Sequence, residues 1–99
     1  MEVTERRNGE IAELIVSGRL DTNTAPVLET TVKNCVKNTK HLSINLQNVE
    51  YISSAGLRVV LVAHKLMAAA GGMMIIVNPS TFCRQVFDAT GMIGVLNIA

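Results

Sequence analysis

Two adjacent hydroxyls, Ser53 and Ser54, follow Tyr51-Ile52 and precede the apolar run that starts at Leu57, with only Ala55-Gly56 between. The stretch reads as a corner where a strand gives way to a helix. At such a corner the helix offers free backbone N–H groups and a partial positive charge of about half an elementary unit. A serine there can cap the helix, bind an anion, act as a nucleophile or receive a phosphate. Capping accounts for Ser53. It requires neither Ser54 nor the Ala55-Gly56 pair, since glycine in a first helical turn is a poor helix former. Small residues at this place keep the surface low, so another protein can approach the Ser54 hydroxyl.

A serine nucleophile needs a base that a third group orients. The histidines are His41 and His64. His64 lies ten residues beyond Ser54, roughly 15 Å along a helix axis, out of reach. His41 precedes the strand that leads to the corner and belongs at its opposite end. The hydrolase pattern G-x-S-x-G is half matched, because Ile52 or Ser53 stands where its first glycine belongs. The phosphate-binding pattern G-x-x-x-x-G-K-S/T is missing. Cys35 and Cys83 lack metal-ligand spacing and read as reduced thiols of a cytoplasmic protein. The expectation is a protein that is not an enzyme and carries no cofactor and no metal.

The surrounding chain bounds what can hold this corner. At 99 residues, one domain spanning 1–99 is expected, large enough to bury about two-thirds of its unfolded surface. Apolar residues make up 48% and aromatic ones 3%, so aliphatic side chains must build the core. A net charge of +1, with no basic run, argues against nucleic acid as a direct partner. The charged start MEVTERRNGE has no signal-peptide core, and no apolar run reaches the roughly 20 residues that span a bilayer. A soluble cytoplasmic protein is expected, and nothing calls for more than a monomer.

Ile11 to Val16 reads as a strand ended near Gly18, paired with Met1 to Thr4 through an Asn8-Gly9 type I′ turn. Asp21 to Pro26 is a loop and helix start, with Asn23 or Thr24 as cap. Val27, Leu28, Thr31, Val32 and Cys35 repeat at helical spacing toward Asn38. Leu42, Ile44 and Leu46 alternate as in a strand, Ser54 to Ala70 forms a second helix, and Met73 to Val77 is a strand covered on both faces. Ser80 caps a third helix up to Gly91, and Val95 to Ile98 forms a last strand. The sum is a small α/β fold, a mixed sheet of about five strands with about three helices.

Four blocks in this order, SGRLDTNTAPVLE (17–29), LSINLQNVEYISSAGLRVVL (42–61), AAGGMMIIVNPS (69–80) and VFDATGMIGVLNI (86–98), resemble the STAS domain of bacterial anti-sigma factor antagonists. The resemblance implies partner switching. In that family an anti-sigma factor that is itself a serine kinase phosphorylates the corner serine, ATP belonging to the kinase. The unphosphorylated antagonist binds the kinase and frees the sigma factor, phosphorylation ends the binding, and a serine phosphatase resets the cycle. The family's D-S-S/T-G pattern falls on Ser53-Ser54-Ala55-Gly56, which makes Ser54 the phosphoacceptor. Asp21 matches an acidic residue that lies near the acceptor in the family. Partner contacts are accordingly expected among Asp21, Thr22, Ser53, Ala55, Gly56, Leu57 and Arg58. Three of these also have plainer readings: Leu57 as core, Arg58 as a solvated cation, Asp21 as a turn residue bonded to its own loop.

Two departures stand out. Ser53 replaces the motif Asp, which removes a charge beside the acceptor and makes Ser53 a competing one. The sequence stops at Ala99, where many relatives carry a further helix, so part of one sheet face is expected to be less covered. A phosphate adds about −1.5 to −2 charges, and throwing a binding equilibrium decisively takes roughly 5 kcal/mol. Two other classes fit the residues, a docking scaffold that is never phosphorylated and a module for a nucleotide, lipid or anion.

Overall fold

The computed structural model describes all residues from Met1 to Ala99. Its elements are β1 (Glu2–Asn8), β2 (Ile11–Leu20), α1 (Ala25–Val36), β3 (His41–Ile52), α2 (Ser54–Ala69), β4 (Met73–Val77) and α3 (Thr81–Thr90), followed by a 3-10 turn at Met92–Gly94. The sheet runs β1-β2-β3-β4. β1 pairs antiparallel with β2, while β2, β3 and β4 are mutually parallel. A parallel set lines up its strand C-termini along one edge, so the loops that follow β2, β3 and β4 open on the same side.

Alternation decides which face is covered. Ala12, Leu14 and Val16 of β2, Leu42, Ile44 and Leu46 of β3, and Met74 and Ile76 of β4 all point inward and are buried. Against them pack Leu28, Val32 and Cys35 of α1, Val59, Val60, Ala63 and Met67 of α2, and Cys83 and Phe87 of α3, in one cluster of 22 buried residues. Each large aliphatic side chain buried this way contributes about 1.5–3 kcal/mol. That cluster is what holds the two helix starts on either side of the β2 and β3 ends.

The opposite sheet face is open. Ile11 is 55% and Met73 47% exposed, while Ile15, Ile75 and Val77 are half-buried. β4 is therefore covered on one face only, which corrects the expectation of cover on both. Its unbroken apolar run cannot distinguish the two cases, because Met73, Ile75 and Val77 look the same as Met74 and Ile76.

Three local differences have clear causes. The hairpin turns on Gly9-Glu10, with Asn8 opposite Ile11; only Gly9 has a positive φ, +63°, the pattern of a type II′ rather than a type I′ turn. The last strand is reduced to one parallel bridge between Ile76 and Ile98, held by Ile76 N–H to Asn97 O and Ala99 N–H to Ile76 O. At the start of α1, Thr24 occupies the cap position without a side-chain capping bond. Thr24 Oγ1 instead donates to Arg19 O at 2.8 Å, and Asp21 satisfies the loop N–H groups.

One strut escaped the sequence reading. Arg7 of β1 lies on the covered side, opposite Ala12. Its guanidinium donates to Asn38 O at 2.8 Å and Thr39 Oγ1 at 2.9 Å. The edge strand is thereby tied to the residues that follow α1. One of two adjacent arginines in a charged N-terminal stretch gives no pattern from which to infer that reach.

Candidate functional site

The site begins with two strand ends that leave the sheet side by side. Arg19 pairs with Tyr51 and Leu20 with Ile52, and Ser53 N–H donates to Leu20 O at 2.9 Å. The loop after β2 and the start of α2 are thus fixed to each other by a backbone hydrogen bond. Ser53 is extended (φ −93°, ψ 177°), and its side chain accepts from Gly56 N–H at 3.4 Å. It is the helix cap. Ser54 is the first helical residue and is exposed, with its hydroxyl free of any hydrogen bond within the chain.

Of the other expected contact residues, Thr22 and Arg58 are exposed, and Asp21, Ala55 and Leu57 are half-buried. Ala55 and Leu57 pack against the core. Gly56 is buried, so it does not present surface to a partner. A Cβ there would stand 2.7 Å from Leu20 Cγ and 2.7 Å from Leu20 O. Its role is close approach, which lets the first turn of α2 sit down on the end of β2.

Between the two helix starts runs a shallow groove of about 180 Å³, with Thr22, Pro26 and Glu29 on one wall and Ala55, Arg58 and Val59 on the other. Small-molecule sites are typically about 300–1,000 Å³, so the groove is smaller than a typical ligand site. The largest cavity, about 530 Å³ between Gly9-Glu10 and Val36 to Lys40, lies at the far edge of the sheet. His41 starts β3 at that same far edge, and His64 is well along α2. Neither adjoins Ser54.

Two charge clusters flank the groove. Asp21 Oδ1 accepts from Asn23 N–H at 3.0 Å and Thr24 N–H at 3.2 Å, and Oδ2 lies 3.7 Å from Arg19 Nε. Partial burial works to raise its carboxyl pKa, but the hydrogen bonds from Asn23 and Thr24 and the Arg19 charge outweigh it and hold the group below the usual carboxylate range. Glu29 takes Lys33 Nζ at 2.9 Å and Arg58 Nη2 at 3.9 Å. Its carboxyl is also held low, first by the Lys33 hydrogen bond and charge and least by Arg58.

The Asp21 arrangement carries a pH prediction. A carboxyl with a depressed folded-state pKa stabilises the fold above its unfolded pKa, near 3.9, and loses that contribution as pH falls through the lower folded value. Stability measured by urea denaturation should therefore drop below about pH 4. Asp21→Asn should flatten part of that acid limb while leaving the pH 5–8 region parallel to the unsubstituted protein. An acid limb of unchanged slope would show that Asp21 is not held in this way.

An exposed stack shares the edge. Arg19 Cζ lies 4.2 Å from the Tyr51 ring centroid, and the Tyr51 and Phe82 rings are 5.3 Å apart. Ser80 fixes the start of α3 beside it, donating to Val49 O at 2.6 Å and accepting from Cys83 N–H. Sequence reasoning did not bring these three residues together. The signal was Tyr51 three residues before Ser54 in a chain with few aromatics, but its pairing with Arg19 depends on a register shift between β2 and β3.

A mixed sheet covered on one face by three helices, with an exposed serine at the start of the second helix, defines a compact α/β module that carries a free hydroxyl on its surface. The STAS domain family model matches residues 2–99, and the chain belongs to that family. It is 27% identical over 99 residues to the anti-sigma-B factor antagonist of Bacillus subtilis, spanning 100% of this chain and 91% of that protein. The structure of the anti-sigma factor antagonist SpoIIAA in its unphosphorylated form superposes with a TM-score of 0.85, at 20% identity, over 99% of this chain and 88% of that one. The phosphorylated form of SpoIIAA from Bacillus superposes with a TM-score of 0.79, at 20% identity, over 99% and 91% of the two chains.

Proposed function

We propose that this protein is an anti-sigma factor antagonist that works by partner switching, with Ser54 as its phosphoacceptor. Unphosphorylated, it docks on an anti-sigma factor serine kinase through Ser54, Thr22, Arg58 and the half-buried Asp21, Ser53, Ala55 and Leu57, and the kinase releases its sigma factor. The kinase transfers the γ-phosphoryl group of its own ATP to Ser54 Oγ, which gives up its proton as ADP leaves. A serine phosphatase hydrolyses the ester. The chain acts as a regulator rather than an enzyme, as a monomer in the cytoplasm, and no helix in it is long and apolar enough to cross a membrane.

One observation carries the choice of residue: Ser53 is engaged as the cap by Gly56 N–H, while the neighbouring Ser54 is exposed and unengaged. Phosphorylating Ser53 would take its Oγ out of the contact with Gly56 N–H that caps the helix. Phosphorylating Ser54 costs no internal bond and sets a dianion at the positive end of α2, where it is favourable. The serine in place of the motif Asp therefore acts as a structural substitute and not as a second acceptor.

The test is incubation with the cognate anti-sigma factor serine kinase, ATP and Mg²⁺, read by intact mass and peptide mapping. The protein should gain one phosphate, Ser54→Ala none, and Ser53→Ala one. Modification at residue 53 would overturn the assignment. No mass change in any form, with stable docking on the kinase, would establish the scaffold reading instead.

A further inference from the structure

We propose that Arg58 is an internal clasp for the modified serine: once Ser54 carries a phosphate, Arg58 leaves Glu29 and pairs with it along the surface of α2. The inference rests on Ser54 as the acceptor, and it adds a residue that sets the state of the phosphorylated form. Ser54 and Arg58 stand four residues apart on one helix, with Cβ atoms about 5–6 Å from each other and the acid ahead of the base, the favourable order. Helical side chains lean toward the N-terminus, so Arg58 reaches back over the first turn and not away from it. Its side chain is 75% exposed and free to swing.

What holds Arg58 now is weak. Glu29 lies 3.9 Å away, and that carboxylate already has Lys33 at 2.9 Å. Lys33 also dominates the lowering of the Glu29 carboxyl, with Arg58 the smallest contributor. Releasing Arg58 leaves Glu29 paired. A phosphate is the stronger acceptor, since a guanidinium can meet two of its oxygens at once. Nothing on α2 competes, because its first turn holds no acidic residue and residue 53 is a neutral serine.

The switch then changes the docking face twice. A dianion appears at Ser54, and the cation on one wall of the groove folds away from Thr22, Pro26 and Glu29. The groove turns more negative than the phosphate alone would make it at that wall.

The test needs no kinase. With phosphoserine incorporated genetically at position 54, the Arg58 Nε–Hε resonance should move downfield and its solvent exchange should slow relative to the unmodified protein. In low salt the phosphate should raise Tm by roughly 2–4 °C more in the native background than in Arg58→Gln. About 1 M NaCl, where charges are screened within roughly 3 Å, should erase that difference. An Arg58 resonance unmoved by the phosphate, or an equal Tm gain in Arg58→Gln, overturns the clasp. Failure of the kinase to modify Ser54 would defeat the functional reading and leave this measurement unaffected, so the two fail separately.

Discussion

Replacing Gly56 with alanine should lower the unfolding free energy by about 2–3 kcal/mol and Tm by roughly 8–20 °C. A glycine-to-alanine change inside a helix ordinarily gains up to about 1 kcal/mol, so the sign here is decided by space. The new Cβ would meet Leu20 Cγ at 2.7 Å, Leu20 O at 2.7 Å and Ile52 Cγ1 at 3.0 Å. The Leu20 side chain is fully buried, and the Leu20 carbonyl is held by Ser53 N–H. Neither can retreat without opening the core or breaking the bond that joins the two strand ends. The first turn of α2 must lift instead, carrying Ser54 with it. Gly94→Ala is the control, with nothing within 4 Å of its added carbon, and should stay within about 0.5 kcal/mol of the starting protein. Urea titrations of the three proteins make the comparison; equal midpoints for Gly56→Ala and the starting protein would show that the corner yields freely.

That same glycine shows how far the sequence could be read. The corner was legible because a strand pattern, two hydroxyls and a helical run meet there within a few residues, and each rests on local chemistry. The two caps Ser53 and Ser80 were legible for the same reason, since a cap bonds within three residues of itself. From sequence, Gly56 reads as a surface feature that keeps the face low. Its contacts with Leu20, 36 residues earlier, exist only after β2 and β3 have paired. Thr24 was a plausible cap by type, yet Arg19 O drew its hydroxyl away and Asp21 took over the loop donors. The open side of β4 was illegible in a run whose two faces are equally apolar. Arg7 and the Arg19–Tyr51–Phe82 stack share the same obstacle, because their partners are set by strand register and by helix placement. The family resemblance supplied order and function where periodicity could not, and it left open which of two neighbouring serines is free.

Ser54→Asp should leave the fold intact and weaken binding to the serine kinase by about 100-fold or more. The folded state tolerates the change because residue 54 is exposed and opens α2, where an acidic side chain gains about 0.3–1 kcal/mol from the helix dipole. Tm should therefore hold or rise slightly. The complex is expected not to tolerate it, because a charge enclosed at an interface with no counter-charge across it costs about 2–5 kcal/mol, and 100-fold corresponds to about 2.7 kcal/mol. Aspartate brings one charge and two oxygens, against about −1.5 to −2 and three for phosphate, so genuine phosphorylation should act more strongly still. Size must be separated from charge, and Ser54→Asn does so: it adds nearly the same volume with no charge and should bind within about tenfold of the native protein. Calorimetry with the kinase and Mg²⁺-ADP reads all three without turnover. If asparagine weakens binding as much as aspartate, crowding and not charge closes the face. If aspartate binds as tightly as serine, residue 54 lies outside the contact, and the switch must reside elsewhere on the edge.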